Sequence, residues 1–136
     1  MTINQLKIGD QASFSKTIAE SDVYLFAGIT GDMNPAHVNR VEAENGLFHR
    51  QVAHGMLVAS LISTVLGMKL PGPGTVYMGQ ELKFVRPVYL GDTITAKAVV
   101  ETIDPAKKMI RMRTTCTNQK GETVIEGYAN ARPPQS

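Results

Sequence analysis

Residues 55–68, G-M-L-V-A-S-L-I-S-T-V-L-G-M, constrain this chain more than any other stretch. They are apolar nearly all round, and their length gives about four turns of helix at ~3.6 residues per turn. A helix laid on a surface carries a polar face. Here only Ser60, Ser63 and Thr64 interrupt the apolar run, so the pattern predicts a helix enclosed by the rest of the chain. The run is too short to span a bilayer. Lys69 and then Pro71-Gly72-Pro73-Gly74 end it, a strong breaker.

After the breaker the period changes to two, the signature of half-buried strands. Residues 75–85, 92–101, 107–118 and 122–131 read as four strands, the first with Val76, Met78, Leu82 and Phe84 on one face. Asp104-Pro105 and the segment from Asn118 to Gly121 supply turns. Upstream, residues 12–18 read as an opening strand. Ser21-Asp22 starts a helix that ends at Gly28 or Gly31, and residues 41–45 form one or two further turns stopped by Gly46. Residues 47–53 show no clear period, and residues 132–136 read as a loose tail. Helices followed by a run of strands point to an α+β fold with an antiparallel sheet of about five strands. With one enclosed helix, the sheet curls around it, and residues 1–136 form one domain. A lone sheet on one helix leaves an edge and a face bare, which pairing with a second copy would cover.

Composition removes several classes. Hydrophobic residues make up 43% of the 136, enough for a single core. The net charge of +2 is too small to argue for nucleic acid, and no run interleaves aromatic with basic residues. The one cysteine, Cys116, has no partner for an internal disulfide and falls in phase with Ile110 and Met112 as a core residue. The first twenty residues lack the apolar run of a signal peptide, so the expected location is the cytoplasm, without membrane contact.

The chemistry concentrates in residues 26–37, F-A-G-I-T-G-D-M-N-P-A-H. Pro35 has a fixed φ and no backbone donor, and it biases Asn34 away from the helical region. The segment therefore reads as irregular backbone, where functional groups tend to sit. It carries an acid, Asp32, and an imidazole, His37. A free carboxylate is ionised at pH 7 and a free imidazole mostly neutral, so such a pair can take up protons. Asp32 after a glycine could equally make an Asx-turn, and a single histidine is more often structural than catalytic. A zinc site would need His37, His49, His54 and Asp32 to converge. No two of these histidines have the i, i+4 helical spacing of a zinc motif, so no metal is expected. No G-x-S-x-G is present, and Gly72 and Gly74 follow a helix and precede a strand, the reverse of a dinucleotide fingerprint. His54-Gly55 lies where the enclosed helix begins, so the first N–H groups there lack intrahelical partners and carry partial positive potential. Gly55, without a Cβ, either lets a ligand carbonyl approach its N–H as an oxyanion hole or merely relieves crowding.

These residues carry a family resemblance. The motif F-x-x-I-T-G-D-x-N-P-x-H, with Ala43 at the expected interval, resembles the (R)-specific enoyl-CoA hydratases. These are the MaoC-like hydratases that supply monomer for polyhydroxyalkanoate synthesis. The likeness continues through H-G-M-L-V-A-S-L-I-S and P-G-P-G-T-V-Y-M-G-Q and so covers most of the chain. One departure is Ala36, where the family carries a larger aliphatic residue. The fold implied is a single hot dog, a long antiparallel sheet wrapped on one central helix with a helical overhang before it. A homodimer is implied, with higher oligomers open.

The activity implied is reversible addition of water to a trans-2-enoyl-CoA to give the (R)-3-hydroxyacyl-CoA, with no cofactor beyond the coenzyme A of the substrate. Asp32 and His37 match the catalytic pair, and Gly55 matches the residue whose N–H binds the thioester oxygen. Ser63 matches a hydroxyl that orders the site, though a serine within a helix can simply bond back one turn. Competing readings are a dehydratase acting on acyl carrier protein thioesters, a hot-dog thioesterase and a non-catalytic acyl-CoA-binding module. The dehydratase layout places an acid on the central helix, and residues 55–68 contain none.

Overall fold

A computed structural model describes residues 1–135. The elements in order are β1 (Gln11–Thr17), α1 (Glu20–Thr30), α2 (Pro35–Val38), α3 (Arg40–Glu44), α4 (Gly55–Met68), β2 (Val76–Phe84), β3 (Thr93–Asp104), β4 (Met109–Thr117) and β5 (Thr123–Arg132). The strands form one sheet in the order β1-β3-β4-β5-β2, and every pairing is antiparallel. The sheet wraps α4, with α1, α2 and α3 as the overhang.

The inner face of the sheet is small where α4 lies on it. Ala96 and Ala98 of β3 are fully buried there, and the core also takes in Ile94, Met112, Ile125, Ala129 and Ala131. Small side chains let a helix approach the sheet closely, and α4 fills the space with Val58, Leu61, Ile62, Val65 and Leu66. Cys116 is in this core, as its phase predicts. Burial is not complete round α4, however. Met56, Ser60 and Ser63 form an exposed stripe along it. The sheet of a single chain covers only one side of the helix, so the expectation of full enclosure holds for that side alone.

Two other expectations are corrected by backbone detail. The register of β2 against β5 shifts between Tyr77 and Gly79. That bulge takes up Met78 and reverses the alternation, so Tyr77, Gln80, Leu82 and Phe84 face inward and Val76 faces out. An uninterrupted period of two cannot reveal an extra residue. The end of the chain is also less loose than its prolines suggest: Pro133 is buried and Pro134 packs beside Gly74. Ser136 lies outside the described residues.

Helix α1 is opened by Asp22, whose carboxylate accepts the N–H of Ala19 at 2.8 Å and pairs with Lys16 at 3.0 Å. It is closed by Gly31, in the left-handed region at φ 80°, whose N–H returns to the Ala27 carbonyl. Of the two stops suggested by the sequence, the later one acts. Pro35 then does more than interrupt. It is the first residue of α2, where its missing N–H costs nothing and its φ suits a helix. Asn34 caps this turn by accepting the Ala36 N–H at 3.1 Å. His37 therefore sits on a one-turn helix and not on irregular backbone, whereas Asp32 does lie on the connection between α1 and α2.

Candidate active site

The closure of α1 at Gly31 places Asp32 at the mouth of a cavity of about 450 Å³. His37, His54 and Gly55 line the same cavity, with Val52, Met56, Phe84 and Val88 among the apolar walls. Three of the four residues singled out from sequence are thus brought together. Ser63 is not among the lining residues; it lies two turns along α4, on the exposed stripe with Met56.

His37 is held from two sides by the segment that shows no period in the sequence. Its Nδ1 lies 2.8 Å from the Val52 carbonyl, which can only accept, so Nδ1 carries the proton. Nε2 is then the acceptor of the neutral ring. The Gln51 amide donates to the His37 carbonyl at 2.7 Å and to the Tyr24 hydroxyl at 3.2 Å. Residue 52 is itself fixed: its N–H donates to the Ala36 carbonyl at 3.1 Å, and the Ala53 N–H donates to Val88 at 2.7 Å. Ala36, where the family motif has a larger residue, thus serves through its backbone. The roles of Gln51 and Val52 were not visible in the sequence, because they rest on main-chain and amide contacts that no spacing encodes.

Asp32 keeps its carboxylate largely free. Its Oδ1 makes one long contact, accepting the Asn34 N–H at 3.3 Å, the Asx-turn that the sequence allows. Its carbonyl accepts from His54 Nε2 at 2.9 Å. A side-chain donor or acceptor atom from each of Asp32, His37 and His54 lies within 4.8 Å of the others. Two of the three histidines therefore converge with Asp32, although their spacing argued against a metal motif. The sequence lacks helical spacing between them, but convergence here is tertiary. His49 is not in the group and instead turns toward the Glu44 carbonyl.

Gly55 begins α4. The N–H groups of Leu57 and Val58 turn back on the His54 carbonyl at 3.1 and 3.3 Å. Among the described residues, none accepts the N–H of Gly55. A fourteen-residue helix therefore points an unpaired donor and its positive end at the cavity. The reason for glycine is packing: a Cβ there would lie 2.5 Å from the ring of Phe84. Relief of crowding and a free N–H are both present at this one residue.

A five-stranded antiparallel sheet wrapped on one helix, with an acid, an imidazole and a helix N-terminus around one cavity, defines a hot-dog protein equipped for acid–base chemistry on a carbonyl compound. The chain belongs to the MaoC-like family: the family model for the MaoC like domain matches residues 4–122. It is 53% identical to an (R)-specific enoyl-CoA hydratase of Rhodospirillum rubrum, over 95% of this chain and 89% of that protein. Among solved structures it resembles an R-hydratase from Pseudomonas aeruginosa in unliganded form, at 41% identity and a TM-score of 0.94, covering 99% of this chain and 86% of the other. It also resembles an (R)-hydratase of Aeromonas caviae involved in polyhydroxyalkanoate biosynthesis, at 37% identity and a TM-score of 0.93, covering 96% and 98%.

Proposed function

We propose that the chain is an (R)-specific enoyl-CoA hydratase, adding water reversibly to trans-2-enoyl-CoA. The observation that carries this reading is the arrangement of Asp32, His37 and the unpaired Gly55 N–H around one cavity. One water held between the Asp32 carboxylate and His37 Nε2 attacks C3 of the enoyl thioester. A proton passes from that water to the pair. The C2–C3 double bond shifts its electrons toward the thioester carbonyl, whose oxygen gains negative charge. The Gly55 N–H and the α4 N-terminus stabilise that oxygen; one such donor is typically worth about 3 kcal/mol. The pair then returns a proton to C2, so water adds from one side and the protein ends as it began. No metal or other cofactor enters these steps.

Ser63 lies on the same stripe of α4 as Met56, a cavity-lining residue, and is assigned to ordering the substrate along that stripe. The same stripe and the β2 edge favour a homodimer. Val76, Met78 and Phe84 of this edge strand are 51%, 56% and 52% exposed, and Met56 is 58% exposed. An uncovered apolar edge next to an uncovered helix stripe is what a second copy would bury. Among the described residues no helix is long and apolar enough to cross a membrane. A cytoplasmic acyl-CoA pathway, with polymer supply as one outlet, is the setting proposed.

The test is purified protein with crotonyl-CoA, following the enoyl absorbance alongside a thiol reagent. Hydration removes the absorbance without releasing thiol. Thiol release would make the protein a thioesterase, and binding without either change would make it a carrier module.

A further inference from the structure

His54 is a buried titratable group to which the hydration chemistry gives no part. It is 2% exposed. Its Nε2 donates to the Asp32 carbonyl at 2.9 Å, while its Nδ1 is buried with no hydrogen-bond partner among the described residues. A phenylalanine or leucine would fill the same space without stripping water from two ring nitrogens, one of them left unpaired. Packing alone therefore gives no reason for an imidazole here.

The contacts supply one. The His54 ring lies against the His37 ring, with centroids 4.0 Å apart and planes tilted by 31°. On another side it meets Phe26 of α1, centroids 4.9 Å apart and planes at 57°. One side chain thus touches both members of the proposed catalytic pair by different means: the backbone of Asp32 through a hydrogen bond, and the ring of His37 through its face. His54 is also the residue just before Gly55, the proposed oxyanion donor. Any shift in its ring is shared between the acid, the base and the helix end.

We propose that His54 is a positioning residue that sets Asp32, His37 and the α4 N-terminus in one geometry. The proposal rests on the hydratase reading above. It requires opposite tautomers in the two neighbouring rings. A carbonyl can only accept, so His54 holds its proton on Nε2 and His37 holds its proton on Nδ1. Each ring is oriented by a main-chain oxygen, and only His37 keeps a lone pair for the cavity water.

The experiment has two arms. In the first, nitrogen-15 histidine spectra of the intact wild-type protein assign the tautomers. The expected result is an Nε2–H ring for His54 and an Nδ1–H ring for His37. An Nδ1–H ring at residue 54 overturns the proposal, since Nε2 could then not donate to Asp32. In the second arm, His54→Phe, which keeps a ring, and His54→Gln, which keeps an amide donor near the Nε2 position, are assayed with crotonyl-CoA beside Asp32→Asn and His37→Gln. His54→Phe is expected to lower kcat roughly tenfold or more with little change in KM, because misplaced groups cost rate before binding. His54→Gln is expected to recover part of that loss. Full kcat in both His54 variants, or a loss seen only in KM, overturns the positioning role while leaving the pair intact. Full activity in Asp32→Asn and His37→Gln would instead remove the hydratase reading itself. The wild-type spectra decide the tautomers even if a variant fails to fold.

Discussion

The Nδ1 of His37 lies 2.8 Å from the carbonyl of Val52, and this contact decides which ring nitrogen can take a proton from water. It makes Nε2 the acceptor and ties the ring to a backbone segment that is itself clamped to Ala36 and Val88. The His37 ring is thus oriented before any substrate arrives. His37→Gln and Asp32→Asn should each fold normally and lower kcat by roughly 10²- to 10⁴-fold, the usual worth of a positioned acid–base group. Steady-state kinetics with crotonyl-CoA, after thermal melts confirm the fold, check this. Near-full activity in either variant would remove that residue from the mechanism.

Gly55 is predicted to tolerate no side chain without loss. A methyl group there meets the Phe84 ring at 2.5 Å. Phe84 is half exposed and can swing aside, so stability should fall only modestly. Both residues line the cavity, so a displaced ring changes its wall. Gly55→Ala is therefore expected to lower kcat/KM about tenfold or more, and adding Phe84→Leu should restore part of it. Unchanged kinetics in Gly55→Ala would show that the cavity wall at Phe84 does not touch the reacting thioester.

How much of this was legible in the sequence differs by element. The apolar run of residues 55–68 and the strands after it were readable because one side of each is buried, and burial writes a period. The Met78 bulge was not, since a bulge inserts a residue into a pattern that otherwise looks regular. The exposed stripe on α4 was also hidden, because Met56 looks like any core methionine until the single sheet is seen to cover only one side. In the site, Asp32 and His37 stood out through their motif. His54 was noticed only as the neighbour of Gly55 and as a discounted zinc ligand, and Gln51 not at all. Their work is done through the carbonyls of Asp32 and His37, which every residue has and no motif marks.

Chelation should leave the enzyme active. Asp32, His37 and His54 are close enough to attract a cation, yet the proposed steps use none. Incubation with EDTA followed by gel filtration is expected to leave the hydration rate unchanged, whereas added zinc should inhibit by competing for the pair. A loss on chelation that zinc restores would place a metal in the reaction.

Cys116 should be silent to thiol reagents in the native protein. Burial pushes its thiol up to about 12, so at pH 8 it is protonated as well as shielded. One thiol per chain should appear only on denaturation, which leaves the thiol-release assay free of background. Rapid labelling of the folded protein would contradict the packing of β4.

The Asp22 carboxyl is held below its usual range, first by the Ala19 N–H and then by Lys16. A depressed carboxylate stabilises the fold above its unfolded pKa and loses that contribution as pH falls through the folded value. Asp22→Asn should therefore lower the melting temperature slightly at pH 7 and approach wild type as the pH falls through the depressed folded value of the Asp22 carboxyl. Melts across that range measure it, and a difference that grows on acidification would reverse the assignment.

The most direct measurement is the stereochemistry of hydration. Purified protein is given crotonyl-CoA, and the product is offered separately to dehydrogenases specific for (R)- and (S)-3-hydroxyacyl-CoA. Loss of the enoyl absorbance and a product oxidised only by the (R)-specific enzyme are expected. An (S) product, a racemic one, or an intact enoyl thioester would contradict the (R)-hydratase reading.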